Sequence, residues 1–232
     1  MVPQSLRDEG AMAQRLAVVL STSRYAVDVL TRAPETVQVL VDDDLTPLSR
    51  EDLARQMNAV ARRHHDVEEA VGAIRAVRRR KLFRILVADI LNVTGIRRIG
   101  QALTDLTGAT IDAALTAVSR EVEDAPPIGI VAMGRWGGQE LSYASDADCL
   151  FVVGDGPGVG EKALKIVTSY ATCSANTGRT PLWFWMPICA RKADPVRWYG
   201  AWRAIGNTTE SGQARGNPRP CCGLVTVPAT GS

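Results

Sequence analysis

The segment Asp124-Ala-Pro-Pro127 divides this chain into two kinds of sequence. Proline has no backbone N–H and its ring clashes with the preceding turn, so a helix does not run through the pair. Upstream, residues 6–123 have helical character. Met12, Leu16, Val19 and Leu20 repeat at helix spacing, and Tyr25, Val27, Val29 and Leu30 predict a short second helix that Pro34 ends. Ser49 stands at a cap position before Glu51 and Asp52, acids that suit a helix N-terminus, and a helix is expected through Val60. From Asp66 to about Leu91 the stripe Val67, Ala70, Ile74, Val77, Leu82, Ile85, Leu86 and Ile90 predicts a long helix. Thr94-Gly95 interrupts it, and another helix is expected over 96–122.

Downstream of the break the period changes. Ile128-Gly-Ile-Val-Ala-Met133 is a short apolar run bounded by turns, which predicts a buried strand. A second strand is expected over 147–153, a loop over 155–160, and a helix beginning at Glu161. Beyond Thr168 no helix or strand period is evident. That region holds Trp183, Trp185, Trp198 and Trp202, and all the cysteines except Cys149. The expected organisation is therefore a helical region 1–123, a partial core 124–168 and an aberrant tail 169–232, with an overall α+β fold.

Composition limits the alternatives. At 232 residues, with 46% hydrophobic and 22% charged, the chain is long enough for a real core and ordinary for a globular protein. A formal net charge of +2 singles out no partner, and neither nucleic acid nor a membrane is expected. The N-terminal residues lack a basic-then-apolar secretory pattern, so a cytoplasmic location is expected. The five cysteines are odd in number and lack C-x-x-C spacing, which supports neither a disulfide framework nor a zinc site. His64 and His65, read as adjacent positions on a helix, would point about 100° apart and make a poor chelate.

The chemistry concentrates in residues 134–148, Gly-Arg-Trp-Gly-Gly-Gln-Glu-Leu-Ser-Tyr-Ala-Ser-Asp-Ala-Asp. Side chains of an extended chain alternate faces, so Asp146 and Asp148 project the same way. Two such carboxylates suit Mg²⁺, which takes oxygen ligands and completes its shell with water and substrate phosphate. Gly134, Gly137 and Gly138 would let backbone N–H groups approach a triphosphate; Arg135 would add charge and Ser145 a hydroxyl. Glu140 would orient the turn or cap a helix. Each element alone has a plainer reading: a solvated turn for the aspartates, an ordinary connection for the glycines. The dinucleotide fingerprint G-x-G-x-x-G is not met. The basic run Arg78-Arg79-Arg80-Lys81 would meet phosphate or an acidic partner, although a solvated helix face is the better reading.

Taken together, residues 134–148 resemble the signature of the bacterial glutamine synthetase adenylyltransferase family, within the nucleotidyltransferase superfamily of DNA polymerase β. Ala76-Val-Arg-Arg-Arg-Lys-Leu-Phe-Arg-Ile-Leu-Val-Ala-Asp89 and Gly100-Gln-Ala-Leu-Thr-Asp-Leu-Thr107 are similar to the family's helical lead-in. Leu6-Arg-Asp-Glu-Gly10 with Leu20-Ser-Thr-Ser-Arg-Tyr25 resembles the stretch before the C-terminal domain of actinobacterial members. The resemblance spans about residues 5–168. It implies a helical region followed by a truncated polymerase-β-like nucleotidyltransferase core. The implied activity is transfer of AMP from ATP to a tyrosine of glutamine synthetase, in nitrogen regulation. It further implies Asp146 and Asp148 as metal and catalytic residues, and Gly134, Arg135, Gly137, Gly138 and Ser145 as nucleotide-binding residues. Mg²⁺ is the implied cofactor. Glutamine synthetase, ATP and a nitrogen-signalling regulatory protein are the implied partners. The AMP-removing half of the same family and a non-catalytic fragment that binds nucleotide or glutamine synthetase are the competing readings.

The family carries a third metal aspartate within Asp-Ala-Asp-Leu-Arg-Pro-Glu-Gly, a string absent from this chain. Asp155 lies in a loop and Asp194 in the aberrant tail. The tail suggests where the motif went. Trp185-Met-Pro is encoded TGG-ATG-CC, and reading from the third base gives GAT-GCC, Asp-Ala; the remaining codons permit Asp-Leu-Arg-Pro-Glu. The same shift turns Leu182-Trp-Phe-Trp185 into a Val-Leu approach typical of a strand, and the degenerate codons of residues 169–174 permit Leu-Arg-His-Met-Leu, which would continue the helix begun at Glu161. Residues from about Ser169 onward are therefore expected to be out of frame, and poorly folded beyond Thr168.

Overall fold

The computed structural model describes residues 4–175 and 223–226. Helices α1 (Gln4–Thr22) and α2 (Arg24–Arg32) lead into a 3-10 stretch, Pro34–Val41. Helices α3 (Arg50–Ala61), α4 (Val67–Ile90) and α5 (Ile96–Ser119) follow. Then come strand β1 (Ile128–Ala132), a short helix α6 (Gly134–Gly137), strand β2 (Cys149–Val153), helix α7 (Val159–Ala175) and strand β3 (Gly223–Thr226). Among the described residues this is an α+β arrangement, and none of the helices is long and apolar enough to cross a membrane.

The helix starts follow from side chains that satisfy orphan N–H groups. Ser23 accepts from the Ala26 N–H at 3.2 Å, Ser49 from Asp52 at 3.1 Å, and Asp66 from Glu69 at 2.9 Å. Beyond its first turn, helix α5 is buried over most of its surface, with Arg98, Gln101, Asp105 and Asp112 on its half-exposed side. It packs against α3, α4, α7 and β3. Gly108 on α5 leaves room for the Arg50 guanidinium, which crosses it to reach Asp112 at 2.8 Å.

Two hydrophobic clusters organise the chain. The larger joins α3, α4 and α5 to β1, β2 and α7, and includes Ile74, Ile99, Leu106, Leu115, Ile130 and Ile166. The smaller joins α1, α2 and the 3-10 stretch to the C-terminal half of α4, through Val19, Val29, Leu40, Phe83 and Val87. Arg15 and Arg84 fasten the connection that follows the 3-10 stretch: Arg15 donates to the Leu40 and Asp42 carbonyls at 2.9 and 2.8 Å, and Arg84 to the Asp42 carboxylate at 2.6 Å.

The sheet has the order β2-β1-β3, with both pairings antiparallel. β1 is central, which explains why all five of its residues are buried. Ile128 pairs with Val153 and Ala132 with Cys149, so the 134–148 segment is the long connection closing this pair.

Several boundaries differ from expectation. Helix α5 ends at Ser119, short of Val122. β2 begins at Cys149 rather than Ala147. Helix α7 starts at Val159 and runs on to Ala175, past the expected loss of period at Thr168. Ile166 and Tyr170 are buried and Cys173 half-buried, one stripe at helix spacing. Residues 169–175 therefore correct the expectation of poor folding from Ser169 onward. His64 and His65 lie in the α3–α4 connection, not on a helix; His64 Nδ1 is 3.2 Å from Glu69 Oε2 at the surface. Of the basic run Arg80 is exposed, while Arg78, Arg79 and Lys81 are half-buried. Arg78 is held low in pKa by burial, with Tyr25 and Tyr170 beside it acting the other way. The reading at Trp185 and the position of Asp194 lie outside the described residues.

Candidate active site

The site is built on the exit of β1. Gly134 follows the strand with φ +55°, left-handed backbone that a residue with a Cβ adopts only at a cost. A Cβ on Gly134 would lie 3.8 Å from Asp148 Oδ2, so the turn and this carboxylate are immediate neighbours. The Met133 N–H donates to the Asp148 carbonyl at 2.8 Å, which extends the β1–β2 register one step beyond the strands. Ala147 and Cys149 are buried while Asp146 and Asp148 are exposed. The period-two alternation thus runs back through the aspartates, although the regular strand begins after them. Both carboxylates face solvent on one side of the chain.

Helix α6 has a distinct architecture. Trp136 is 2% exposed and anchors the turn in the larger cluster, together with Leu141 and Ala147. Gln139 lies past the helix end with φ +59°. The Glu140 N–H donates to the Arg135 carbonyl at 2.8 Å and the Gln139 N–H to Trp136 at 3.1 Å. These two bonds form a Schellman closure with glutamine where glycine is usual. The Gly137 and Gly138 N–H groups donate to the Met133 and Gly134 carbonyls, each at 3.0 Å. They are therefore committed within the turn, and Gly137 is buried. The first-turn N–H groups of Gly134, Arg135 and Trp136 have no intrahelical carbonyl to reach. Arg135 and Gly138 are exposed. Helix α5 backs this closure: a Cβ on Gly100 would lie 3.4 Å from the Gln139 carbonyl oxygen and the Glu140 Cα.

Ser145 serves the loop. Its hydroxyl accepts from the Ser142 N–H at 2.9 Å and lies 2.8 Å from the Ser142 hydroxyl. Glu140 is exposed at the end of the closure. Asp155 lies in the β2–α7 connection, beyond the end of β2 opposite the aspartates. Among the described residues no three His, Cys, Asp or Glu side chains form a group able to hold a metal ion. Two hard oxygen donors on one face still fit part of a Mg²⁺ shell. A cleft of about 740 Å³ lined by Asp66, Glu68, Glu121, Glu161 and Cys173 includes none of the 134–148 residues.

Sequence reasoning missed Tyr143. Its hydroxyl donates to Asp89 Oδ2 on α4 at 3.0 Å, and its ring meets Tyr25 with centroids 5.9 Å apart and planes tilted by 49°. Burial pushes the Tyr25 hydroxyl from 10.0 up to about 12, with Arg78 pulling it down less strongly. Burial, and then the Asp89 carboxylate, push Tyr143 up as well. The folded chain thus keeps protons that the unfolded chain releases near pH 10. Stability from these groups is complete below about pH 10 and is lost as pH rises towards 12. The urea midpoint is expected to fall between pH 8 and pH 11. Tyr25→Phe and Tyr143→Phe should each flatten that fall, and an unchanged slope in both would contradict it.

With this geometry in place, the family is identifiable. The model of the family described as glutamate-ammonia ligase adenylyltransferase matches residues 13–172, and the chain belongs to that family. Its relatives include a bifunctional glutamine synthetase adenylyltransferase/adenylyl-removing enzyme of Cutibacterium acnes, 93% identical over 178 residues, 77% of this chain and 18% of the relative. Enzymes of the same name from Nocardia farcinica and Streptomyces coelicolor are 42% and 45% identical, over 72% and 68% of this chain. The chain spans about 18% of the length of each of these relatives. The 178 residues matched in the Cutibacterium enzyme exceed the 168 that precede Ser169, so that likeness, like helix α7, continues past Ser169.

Proposed function

We propose that this chain is part of the AMP-transferring half of such an enzyme, and that residues 128–153 are the start of a polymerase-β-like nucleotidyltransferase core. The observation that carries this reading is the placement of Asp146 and Asp148, both exposed on one side of the chain entering β2, with Gly134 against Asp148. The reaction joins a tyrosine oxygen of glutamine synthetase to the α-phosphorus of ATP and breaks the bond to pyrophosphate, which leaves with the electron pair. Mg²⁺, when bound, would neutralise phosphate charge there. Asp146 and Asp148 would hold it, while the left-handed turn at Gly134 keeps the phosphate approach open and Arg135 adds positive charge. The buried Trp136 and the Schellman closure hold that turn rigid, so its geometry is set before nucleotide arrives.

The two-carboxylate site also supports a second reading, a fragment that binds nucleotide without turnover. Incubation with labelled ATP, Mg²⁺ and glutamine synthetase separates the readings. Label on glutamine synthetase supports the transferase, and its release from pre-labelled enzyme supports the AMP-removing half. Mg²⁺-dependent ATP binding with neither activity supports the binding fragment. In each positive case Asp146→Asn is expected to lower the signal at least tenfold. An Asp146→Asn chain as active as the parent would reject the site.

A further inference from the structure

We infer that Tyr143 is a positioning residue for the aspartate pair, tying its loop to helix α4 through Asp89 and to helix α2 through Tyr25. The inference rests on the reading of Asp146 and Asp148 as ligands of a metal–nucleotide complex. Between the buried residues Leu141 and Ala147, the loop has five positions. Ser142, Ala144 and Asp146 are exposed, and among the described residues Ser145 bonds only to Ser142. Among the described residues, Tyr143 is the loop position that bonds across the fold, at 3.0 Å to a residue 54 positions away. Its ring, like that of Tyr25, packs against both hydrophobic clusters, so the pair stands where the helical lead-in meets the core.

The chemistry of the tie is directional. A neutral phenol donates and a carboxylate accepts, a pairing stronger than one between neutral groups. The phenol stays neutral across the working pH range because its burial and the adjacent carboxylate disfavour phenolate. Asp146 follows Tyr143 by three residues, so freedom at Tyr143 is passed to the carboxylates with little chain to absorb it. Metal–nucleotide binding depends on where two exposed carboxylates point, and a loosened loop spreads them over many directions.

The test uses the intact chain with Tyr143→Phe, which keeps the ring, and with Asp89→Ala. Amide exchange over residues 144–148 and calorimetric Mg·ATP binding are both measured, with Asp146→Asn as the site control. Each tie variant is expected to speed exchange in this loop about tenfold while β1 and β2 stay as protected as in the parent. Each should also weaken Mg·ATP binding about tenfold, and the double variant should be no worse than either single. Asp89→Asn, whose amide oxygen still accepts, should restore most of both. Unchanged loop exchange in Tyr143→Phe overturns the inference whatever the nucleotide does. Faster exchange with unchanged Mg·ATP affinity, where Asp146→Asn abolishes binding, also overturns it and leaves the site reading standing. A parent chain that binds no Mg·ATP removes the site reading, and with it the positioning role.

Discussion

Trp136→Ala is expected to destabilise the chain by about 3–5 kcal/mol, read as a lowered denaturant midpoint with little change in slope. A four-residue helix has no stability of its own, because nucleation fixes several residues for a single hydrogen bond. The left-handed Gln139 past its end adds conformational cost, which Gly134 at its start avoids by having no Cβ. What offsets this is the indole, 2% exposed and packed in the larger cluster with Leu141, Ala147 and Cys149. Truncation leaves a large void beneath the turn, under a backbone already committed to β1 and β2. Domains of this size have a net stability of about 5–15 kcal/mol, so the loss is a large share of the total. Trp136→Phe, which keeps much of the volume, should cost less. A loss below about 1 kcal/mol for the alanine variant would mean that the turn is held by its backbone bonds alone.

Trp136 also shows where sequence reading stops. A tryptophan between an arginine and two glycines has no period around it, so nothing local marks it as core. The long helices were legible because their stripes extend over several turns and their caps are the residues that cap best: Ser49 and Asp66 both accept the expected N–H. The end of α7 was not. Ser169, Thr172 and Ser174 are weak helix formers, and they obscure the stripe that Ile166, Tyr170 and Cys173 continue. Arg78 read as surface because its neighbours are charged. It is half-buried, and tyrosines of α2 and α7, elements distant in sequence, act on its charge.

The site divides in the same way. That Asp146 and Asp148 share a side was readable, because alternation is a property of any extended chain and does not need the strand to have begun. That Gly137 and Gly138 spend their N–H groups inside the turn was not readable. Glycine pairs serve both close approach and tight turns, and only the bonds to Met133 and Gly134 distinguish the two. The tie between Tyr143 and Asp89 crosses 54 positions and follows from the packing of α4 against the loop.

On the proposed transferase reading with an out-of-frame tail, moving the reading frame back is expected to raise AMP transfer to glutamine synthetase about a hundredfold or more over the present chain. The physical reason lies in the sheet. β1 has β2 on one edge and Gly223–Thr226 on the other, a strand that contains no carboxylate. Among the described residues no third acid joins the two aspartates, and on the proposed reading such an acid would accept the tyrosine proton and complete a metal shell. A shift ahead of Trp185 would replace this region with a Val-Leu approach followed by Asp-Ala, and the next codon permits a second Asp, a strand suited to the same edge of β1. Helix α7 extends to Ala175 and the Cutibacterium likeness runs past Ser169, so a shift of frame, on that reading, would begin after the helix rather than at Ser169. The gain should vanish when Asp148→Asn is added, because the third acid acts only beside the first two. Gene sequencing supplies the independent check. A shifted frame that does not spell Asp-Ala-Asp, or a restored chain no more active than this one, would leave Asp146 and Asp148 as a binding pair and nothing more.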